Sequence, residues 1–238
     1  MSEDKLPQRP EGALPIGEGE ELTAPVRKAF ATTQGMWSRD SGDTSGYGRI
    51  QRTLEMPGRS EPPFDDVHDA IWGRAIEVVP ALRASRVLFD RGELTIYVDR
   101  AELPEVVRTF RDDPFLRFEV CMSVSGVHYP QDTGAELHSV YHLHSFTHNR
   151  RVRLEVTCPD ADPHIPSVVA TYPMANWHER ETYDLFGIIY DGHPGLTRIM
   201  MPDDWVGHPQ RKDYPLGGVD VEYKGARVPA PDNRRTYS

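Results

Sequence analysis

The fold is decided by residues 136–158, which read Glu136-Leu-His-Ser-Val-Tyr-His-Leu-His-Ser-Phe-Thr-His-Asn-Arg-Arg-Val-Arg-Leu-Glu-Val-Thr-Cys158. In the second half of this stretch apolar and charged side chains alternate: Val152, Leu154 and Val156 against Arg151, Arg153 and Glu155. A period of two is typical of a β-strand that buries one face and exposes the other. The stretch therefore predicts two adjacent strands, 136–148 and 151–158, joined by Asn149-Arg150.

Helices and further strands are predicted on both sides of this stretch. Helical spacing predicts a helix over 66–82 that is capped by Asp65. The predicted buried face of this helix consists of Val67, Ile71, Ala75, Val78 and Val79. A hairpin over 86–98, a helix over 103–111 and a strand over 117–129 follow, and the strand has Phe118, Val120, Met122 and Val124 on one face. A helix is predicted over 175–186, ending at Gly187. The class is α+β, with helices packed on one mainly antiparallel sheet.

The two ends of the chain differ in composition from this globular domain, 63–201. Residues 1–62 contain 8 Gly and 6 Pro, so they predict an extended, partly disordered N-terminal arm. Residues 202–238 contain 5 Pro and 4 Gly without a sustained apolar period, so they predict an extended C-terminal strap on a neighbouring protein.

Charge and composition exclude several classes of protein. The 37 acidic and 27 basic residues give a formal net charge of −10, which argues against nucleic-acid binding. No apolar run approaches the roughly 18 residues of a transmembrane helix, and the N-terminus lacks the features of a signal peptide. Cys121 and Cys158 alone cannot hold an iron–sulfur cluster, and Cys121 is expected in the core. The setting is expected to be soluble and reducing.

The histidines are candidate metal ligands, but their pattern favours a structural role. His138, His142, His144 and His148 share one parity in the predicted strand, yet a metal site requires ligands from a second element as well. His178-Glu179 resembles the start of a zinc-protease helix, but Thr182 stands where its second histidine is required. We expect no metal site, and no glycine-rich cofactor loop precedes a helix.

The helix over 175–186 carries Glu179, Glu181 and Asp184, with Arg180 as the one nearby cation. Three interpretations remain open: a solvated charged helix, acid–base groups of a free-standing hydrolase, and an interface that receives basic side chains from a partner. The third interpretation predicts ion pairs across a subunit boundary. In the tail, Arg211 and Lys212 are adjacent cations that could hold acidic groups of a partner.

Two motifs in this region resemble a known family. Glu179-Arg-Glu-x-x-Asp-x-x-Gly187, His193-Pro194 and Arg198, followed by Gly207-His-Pro-x-Arg-Lys-Asp-Tyr-Pro215, resemble the C subunit of proton-pumping NADH:quinone oxidoreductase, respiratory complex I. The resemblance covers roughly residues 65–216.

The resemblance implies an accessory structural subunit that supports electron transfer from NADH to quinone coupled to proton translocation. It implies no catalytic residue or cofactor in this chain, with FMN and iron–sulfur clusters in partner subunits. It also implies a peripheral place on the cytoplasmic side of the cell membrane, with the D subunit as principal partner and the B and I subunits nearby. The implied subunit-interface residues are Glu179, Arg180, Glu181, Asp184, Gly187, His193, Pro194, Arg198, Arg211, Lys212, Asp213 and Tyr214.

Overall fold

The computed structural model describes residues 26–34, 51–214, 221–223 and 225–228. Strands β1 (Val26–Gln34) and β2 (Gln51–Arg59) pair antiparallel. Neither strand is predicted by the sequence, because these segments lack the period-two apolar pattern of a half-buried sheet. The rest of the predicted arm, 1–25 and 35–50, lies outside the described residues.

Helix α1 (Asp66–Val78) begins as predicted and ends four residues early. The Asp65 side chain accepts a hydrogen bond from the His68 amide, the expected N-cap. Pro80 has no amide hydrogen and disfavours helical geometry at Val79, so a short 3₁₀ turn over Pro80–Ala84 replaces the last predicted turn. On the predicted buried face Ile71 and Ala75 are buried, but Val67 is 48% exposed.

A hairpin and a second helix follow. Strands β3 (Val87–Asp90) and β4 (Glu93–Tyr97) pair antiparallel, and both residues of their turn, Arg91 and Gly92, have positive φ. Helix α2 (Leu103–Asp112) buries Leu103, Val106, Val107 and Phe110.

The central sheet is completed by β5 (Val120–His128), β6 (Leu137–Ser145) and β7 (Arg150–Cys158). Its five strands lie in the order β3-β4-β7-β6-β5. Within this five-stranded sheet only β4 and β7 pair parallel, so the predicted mainly antiparallel sheet is confirmed.

The two faces of the sheet have opposite character. Val152, Leu154 and Val156 are buried as predicted, in one core with residues of all three helices. The opposite face carries the intervening charged residues of β7. Because Arg151 pairs with His144 and Arg153 with His142, this face is rich in basic and imidazole groups.

The predicted face of β5 is wrong at Met122, although Phe118 and Val124 are buried. The pairing with β6 shifts between Cys121 and Ser123, which indicates a bulge that inverts the alternation along the strand. Cys121 and Val124 are buried as a result, whereas Met122 is 45% exposed.

The last part of the domain contains helix α3. Strand β8 (His164–Pro166) pairs parallel with β9 (Ile189–Asp191), and neither of these short strands is predicted by the sequence. Between them α3 (Ala175–Phe186) has the predicted bounds, and Gly187 follows it in the left-handed conformation. Near the C-terminus β10 (Val221–Tyr223) and β11 (Ala226–Val228) form a small hairpin where no strand is predicted. Among the described residues, none of the helices is both long and apolar enough to span a bilayer.

Candidate functional site

Helix α3 lies against β5, and a glycine allows the close contact. A Cβ atom at Gly126 would overlap the Phe186 ring and lie 2.9 Å from the Thr182 methyl carbon. The helix therefore packs directly on the sheet, with Glu179, Thr182 and Asp184 on its buried side.

Asp184 is fully buried and holds the segment that follows β9. Its Oδ1 accepts a hydrogen bond from Arg198 Nη1 at 2.6 Å. Its Oδ2 accepts the amides of Ile199, Met200 and Met201 at 2.7–3.0 Å. Burial opposes ionisation, but these donors more than offset it and lower the pKa of Asp184 to about 2.

Arg198 joins Asp184 to the loop beyond it. Its Nη2 donates to the carbonyl oxygens of Trp205 at 2.9 Å and Gly207 at 3.2 Å. One guanidinium thus fixes the distance between α3 and residues 205–207, a role that its planar set of donors suits.

Glu179 is also fully buried, without a cation. Its carboxylate accepts the Ser167 hydroxyl at 2.6 Å and the Val168 amide at 2.8 Å. Burial raises the pKa of Glu179 to about 7 although both hydrogen bonds act in the opposite direction.

The predicted intersubunit ion pairs of these acids are therefore wrong for two of them. Asp184 takes its cation, Arg198, from its own chain, and Glu179 is satisfied by neutral donors. Arg180 serves neither acid: it donates to Thr197 and to the Arg198 carbonyl, and its guanidinium lies 5.1 Å from the centre of the Trp177 ring. The error arises because Arg198, fourteen residues away in sequence, is brought to Asp184 only by the fold.

The second motif caps the C-terminus of α3. His208 Nδ1 lies 3.0 Å from the Asp184 carbonyl oxygen, the Gln210 amide donates to Leu185 O, and Arg211 Nε donates to Phe186 O at 2.6 Å. The last carbonyl groups of a helix lack partners within it, and here the tail supplies three. Arg211 also pairs with Asp160 at 2.6 Å.

The start of the tail therefore folds onto its own domain. The Lys212 amide donates to Nδ1 of the buried His128, and Asp213 lies 3.6 Å from the same atom. The Tyr214 hydroxyl donates to Val206 O at 3.4 Å. The prediction of a strap ordered only on a partner is wrong for residues 202–214, because capping the helix orders them internally. Residues 215–220 and 229–238 lie outside the described part.

The remaining motif residues divide into buried supports and exposed groups. His193 accepts the Gly195 amide at 3.0 Å and lies 3.2 Å from the Asn176 carbonyl oxygen. Pro194, Glu181 and Lys212 are exposed, and the last two form no ion pair within the described residues.

No group of three or more His, Cys, Asp or Glu side chains in the described part of the chain could hold a metal ion. Of the four histidines with shared parity, three lie on β6 and His148 lies in the turn after it. His138 bonds Glu155, and His142 lies 3.0 Å from the Ser123 hydroxyl oxygen.

Three residues that complete the site are not singled out from the sequence: Ser167, His128 and His208. His208 lies inside the second motif, so its position was a usable signal. Ser167 and His128 carry no local signal, since their partners lie 12 and 84 residues away.

Comparison with known proteins assigns the family. Residues 96–220 match the model of the respiratory-chain NADH dehydrogenase 30 Kd subunit. The NADH-quinone oxidoreductase C subunit of Mycolicibacterium smegmatis is 58% identical over 229 residues, covering 94% of each chain. The corresponding C subunit of Streptomyces coelicolor is 57% identical over 228 residues, covering 93% of this chain and 88% of the relative.

A solved structure shares the fold at lower identity. A chain of the membrane-bound sulfane sulfur reductase, an archaeal respiratory membrane complex, matches with a TM-score of 0.54 and 22% identity, covering 63% of this chain and 87% of the other. The family match and the two close relatives, taken together, show that this chain belongs to the respiratory-chain NADH dehydrogenase 30 Kd subunit family, the family of the NADH-quinone oxidoreductase C subunits.

Proposed function

We propose that this chain is an accessory, structural subunit of the hydrophilic arm of NADH:quinone oxidoreductase, supporting electron transfer that is coupled to proton translocation. It holds no catalytic residue or cofactor, and FMN and the iron–sulfur clusters belong to partner subunits. It lies on the cytoplasmic side of the membrane, contacts the D subunit chiefly, and has the B and I subunits nearby.

One observation carries the structural role: apolar side chains are exposed around an internally satisfied motif. Asp184 and Arg198 form their hydrogen bonds within the chain. Contacts with a partner therefore fall to other, exposed residues. We name Met174, Trp177, Met200 and Val206 the α3 surface; they are 48%, 63%, 64% and 86% exposed. Exposed apolar side chains grouped on one element and its adjoining loop are typical of a protein interface.

The twelve motif residues then have two kinds of role in the interface. Asp184 and Gly187 are buried and Arg198 is half-buried, and these residues support the surface from beneath. Glu181 and Lys212 are exposed and form no ion pair within the described residues, so they remain available to a partner.

The hydrolase alternative is disfavoured by the burial of its acids. Glu179 and Asp184 are fully buried, and Glu181 is exposed, so the three carboxyl groups do not face one cleft. Acid–base catalysis requires groups within reach of one substrate.

Purification of the tagged chain from membranes in mild detergent tests the proposal. We expect the subunits of NADH:quinone oxidoreductase to co-purify, and Trp177→Ser combined with Met200→Ser to lower their yield by at least about five-fold, roughly 1 kcal/mol of association free energy. The thermal transition of the purified variant chain should stay unchanged, because both side chains are exposed. Ala84→Ser, on the 3₁₀ turn, is the control. A chain that purifies alone contradicts the proposal.

A further inference from the structure

A groove of about 810 Å³ lies at one end of the central sheet, apart from the α3 surface. It is bounded by the β3–β4 turn, the start of β7 and the first turn of α1. We name it the basic groove. Its charged lining residues are Arg91, Arg150, Arg151, Arg153, Asp65 and Glu93.

Both carboxylates of the basic groove are already engaged. Asp65 caps α1 and lies 2.7 Å from the His68 ring nitrogen. Glu93 pairs with Arg153. The groove therefore has an excess of arginine over free carboxylate on a chain whose net charge is −10.

Two arginines at the basic groove are available to a ligand. Arg151 is exposed and pairs with no carboxylate among the described residues. The Arg91 side chain is 84% exposed and its nearest carboxylate, Asp90, is 3.8 Å away. Because β4 pairs parallel with β7 and Thr95 lies opposite Arg153, Arg151 is level with Glu93. Arg91 lies in the turn that precedes Glu93, so the two arginines are at the same end of the sheet.

His142 and His144 of β6 lie opposite Arg153 and Arg151 of β7 and add polar groups to the groove. Burial, and then the charge of Arg153, lower the pKa of His142, so this ring is neutral at pH 7. His144 is 8% exposed, and its Nδ1 has no hydrogen-bond partner within the described part of the chain. Buried polar atoms usually have partners, so the wall of the groove is incomplete in the isolated chain.

Apolar side chains surround the same groove. Val67 and Met122 line it. The Phe115 ring lies 4.9 Å below the Arg150 guanidinium, and Phe146 meets the His144 ring edge-on at 4.9 Å. These four are all of the large exposed apolar side chains in the described residues that are not on the α3 surface. Arginines backed by aromatic rings beside apolar contacts are typical of a protein interface.

We infer that the basic groove is a second docking surface, which holds an acidic peptide segment of a neighbouring polypeptide in the assembled enzyme. Two carboxylates of that segment pair with Arg91 and Arg151, and an apolar side chain packs against Met122. This inference rests on the proposed function, because the occupant belongs to the complex. The charges make this contact selective, because the arginines of the groove would repel a segment that carries basic side chains.

Site-specific photo-crosslinking in the purified, assembled enzyme tests this inference. A photoreactive amino acid replaces Met122, and mass spectrometry identifies the peptide joined to it. We expect a segment of another subunit with at least two Asp or Glu residues. Arg151→Glu should lower the crosslink yield by about five-fold, which corresponds to about 1 kcal/mol. Arg108→Glu, at an exposed position of α2, should leave the yield unchanged.

A reciprocal change strengthens the test. Replacing the nearest acid of the captured segment by Arg should restore the yield in the Arg151→Glu chain. If the complex assembles, a crosslink to residues 1–25 of this chain, to a second copy or to lipid would overturn the inference. The absence of any crosslink in the assembled complex would overturn it as well. Failure of the chain to co-purify with the other subunits would overturn the proposed function and, with it, this inference.

Discussion

Gly187 is held in place by two requirements, its backbone conformation and the ring that packs against it. Its φ is +79°, and an added Cβ atom would lie 2.6 Å from the His208 ring. Gly192 has nearly the same φ, +81°, but no atom within 4 Å of an added Cβ. Comparison of the two glycines therefore separates the free-energy cost of a left-handed backbone from the cost of a steric clash with His208.

We therefore expect Gly187→Ala to lower the free energy of unfolding more than Gly192→Ala. Both variants carry the cost of a left-handed alanine, about 1–2 kcal/mol. Only Gly187→Ala also displaces His208 from the Asp184 carbonyl oxygen, which adds about 1 kcal/mol. Urea unfolding of both full-length variants measures the difference. Equal losses would mean that His208 does not pack on Gly187 in solution.

Glu179 makes the stability of the fold depend on pH near neutrality. Its pKa, about 7, lies above the ordinary value of 4.5 because of burial, so the native state binds the proton more tightly than the unfolded state. The contribution of this group to stability is greatest below about pH 4.5, falls as the pH rises, and levels off above about pH 7.

Comparison with Glu179→Gln isolates this contribution. Between pH 5 and pH 8 we expect the free energy of unfolding of the wild type, relative to the variant, to fall by about 2–3 kcal/mol. Urea unfolding at several pH values measures it, and Glu181→Gln, at an exposed position of the same helix, is the matched control. A relative stability that rises over this range would show that Glu179 is stabilised in its charged form.

At the scale of the element, α3 depends on the tail for its C-terminal end. Residues 208–211 satisfy three of its last carbonyl groups, so the helix and the tail form one unit. For residues 202–214 this arrangement replaces the predicted extended strap on a neighbouring protein.

Hydrogen exchange in the isolated chain checks that arrangement. We expect the amides of Gln210 and Lys212 to exchange at least about ten-fold more slowly than that of Asp204, which donates no hydrogen bond among the described residues. Arg211→Ala should remove most of this protection, because it loses the bonds to Phe186 and Asp160. Rapid exchange at Gln210 and Lys212 in the unmodified chain would restore the strap prediction.

At the scale of the whole molecule, the eight large apolar side chains exposed in the described part fall into two groups. One group forms the α3 surface, and the other surrounds the basic groove. The two surfaces differ in character, since the first is apolar and the second is dominated by arginine. Two separate surfaces of this kind would allow the protein to contact two partner subunits at the same time.

Ser60, two residues before the predicted end of the N-terminal arm at residue 62, contacts the globular domain. The Ser60 amide donates to Val87 O, and its hydroxyl group bonds the backbone of Phe89 at 3.0–3.1 Å. Ser60 is buried and therefore packs with the globular domain, although it lies within the predicted arm. The division of the chain at 62 and 201 otherwise stays a prediction.

The sequence by itself determined those helices and strands that depend mainly on residues adjacent along the chain. The alternation in 151–158 is sufficient to identify β7 and its buried face, and Gly187 is sufficient to end α3, because both depend on residues adjacent in sequence. Pro80 and the bulge after Cys121 show where a local pattern fails: one missing amide hydrogen, or one extra residue in a strand, shifts the boundary or the face of everything that follows.

The family followed from the sequence as well, since two long motifs in register identify it without coordinates. Only the tertiary structure decided what those motifs do within the chain. The charge count near Glu179 and Asp184 predicted external cations, whereas the fold brings Arg198, Ser167 and His208 to α3 from up to 24 residues away. The physical reason is that hydrogen bonds and burial depend on distance in space, and a sequence records only distance along the chain.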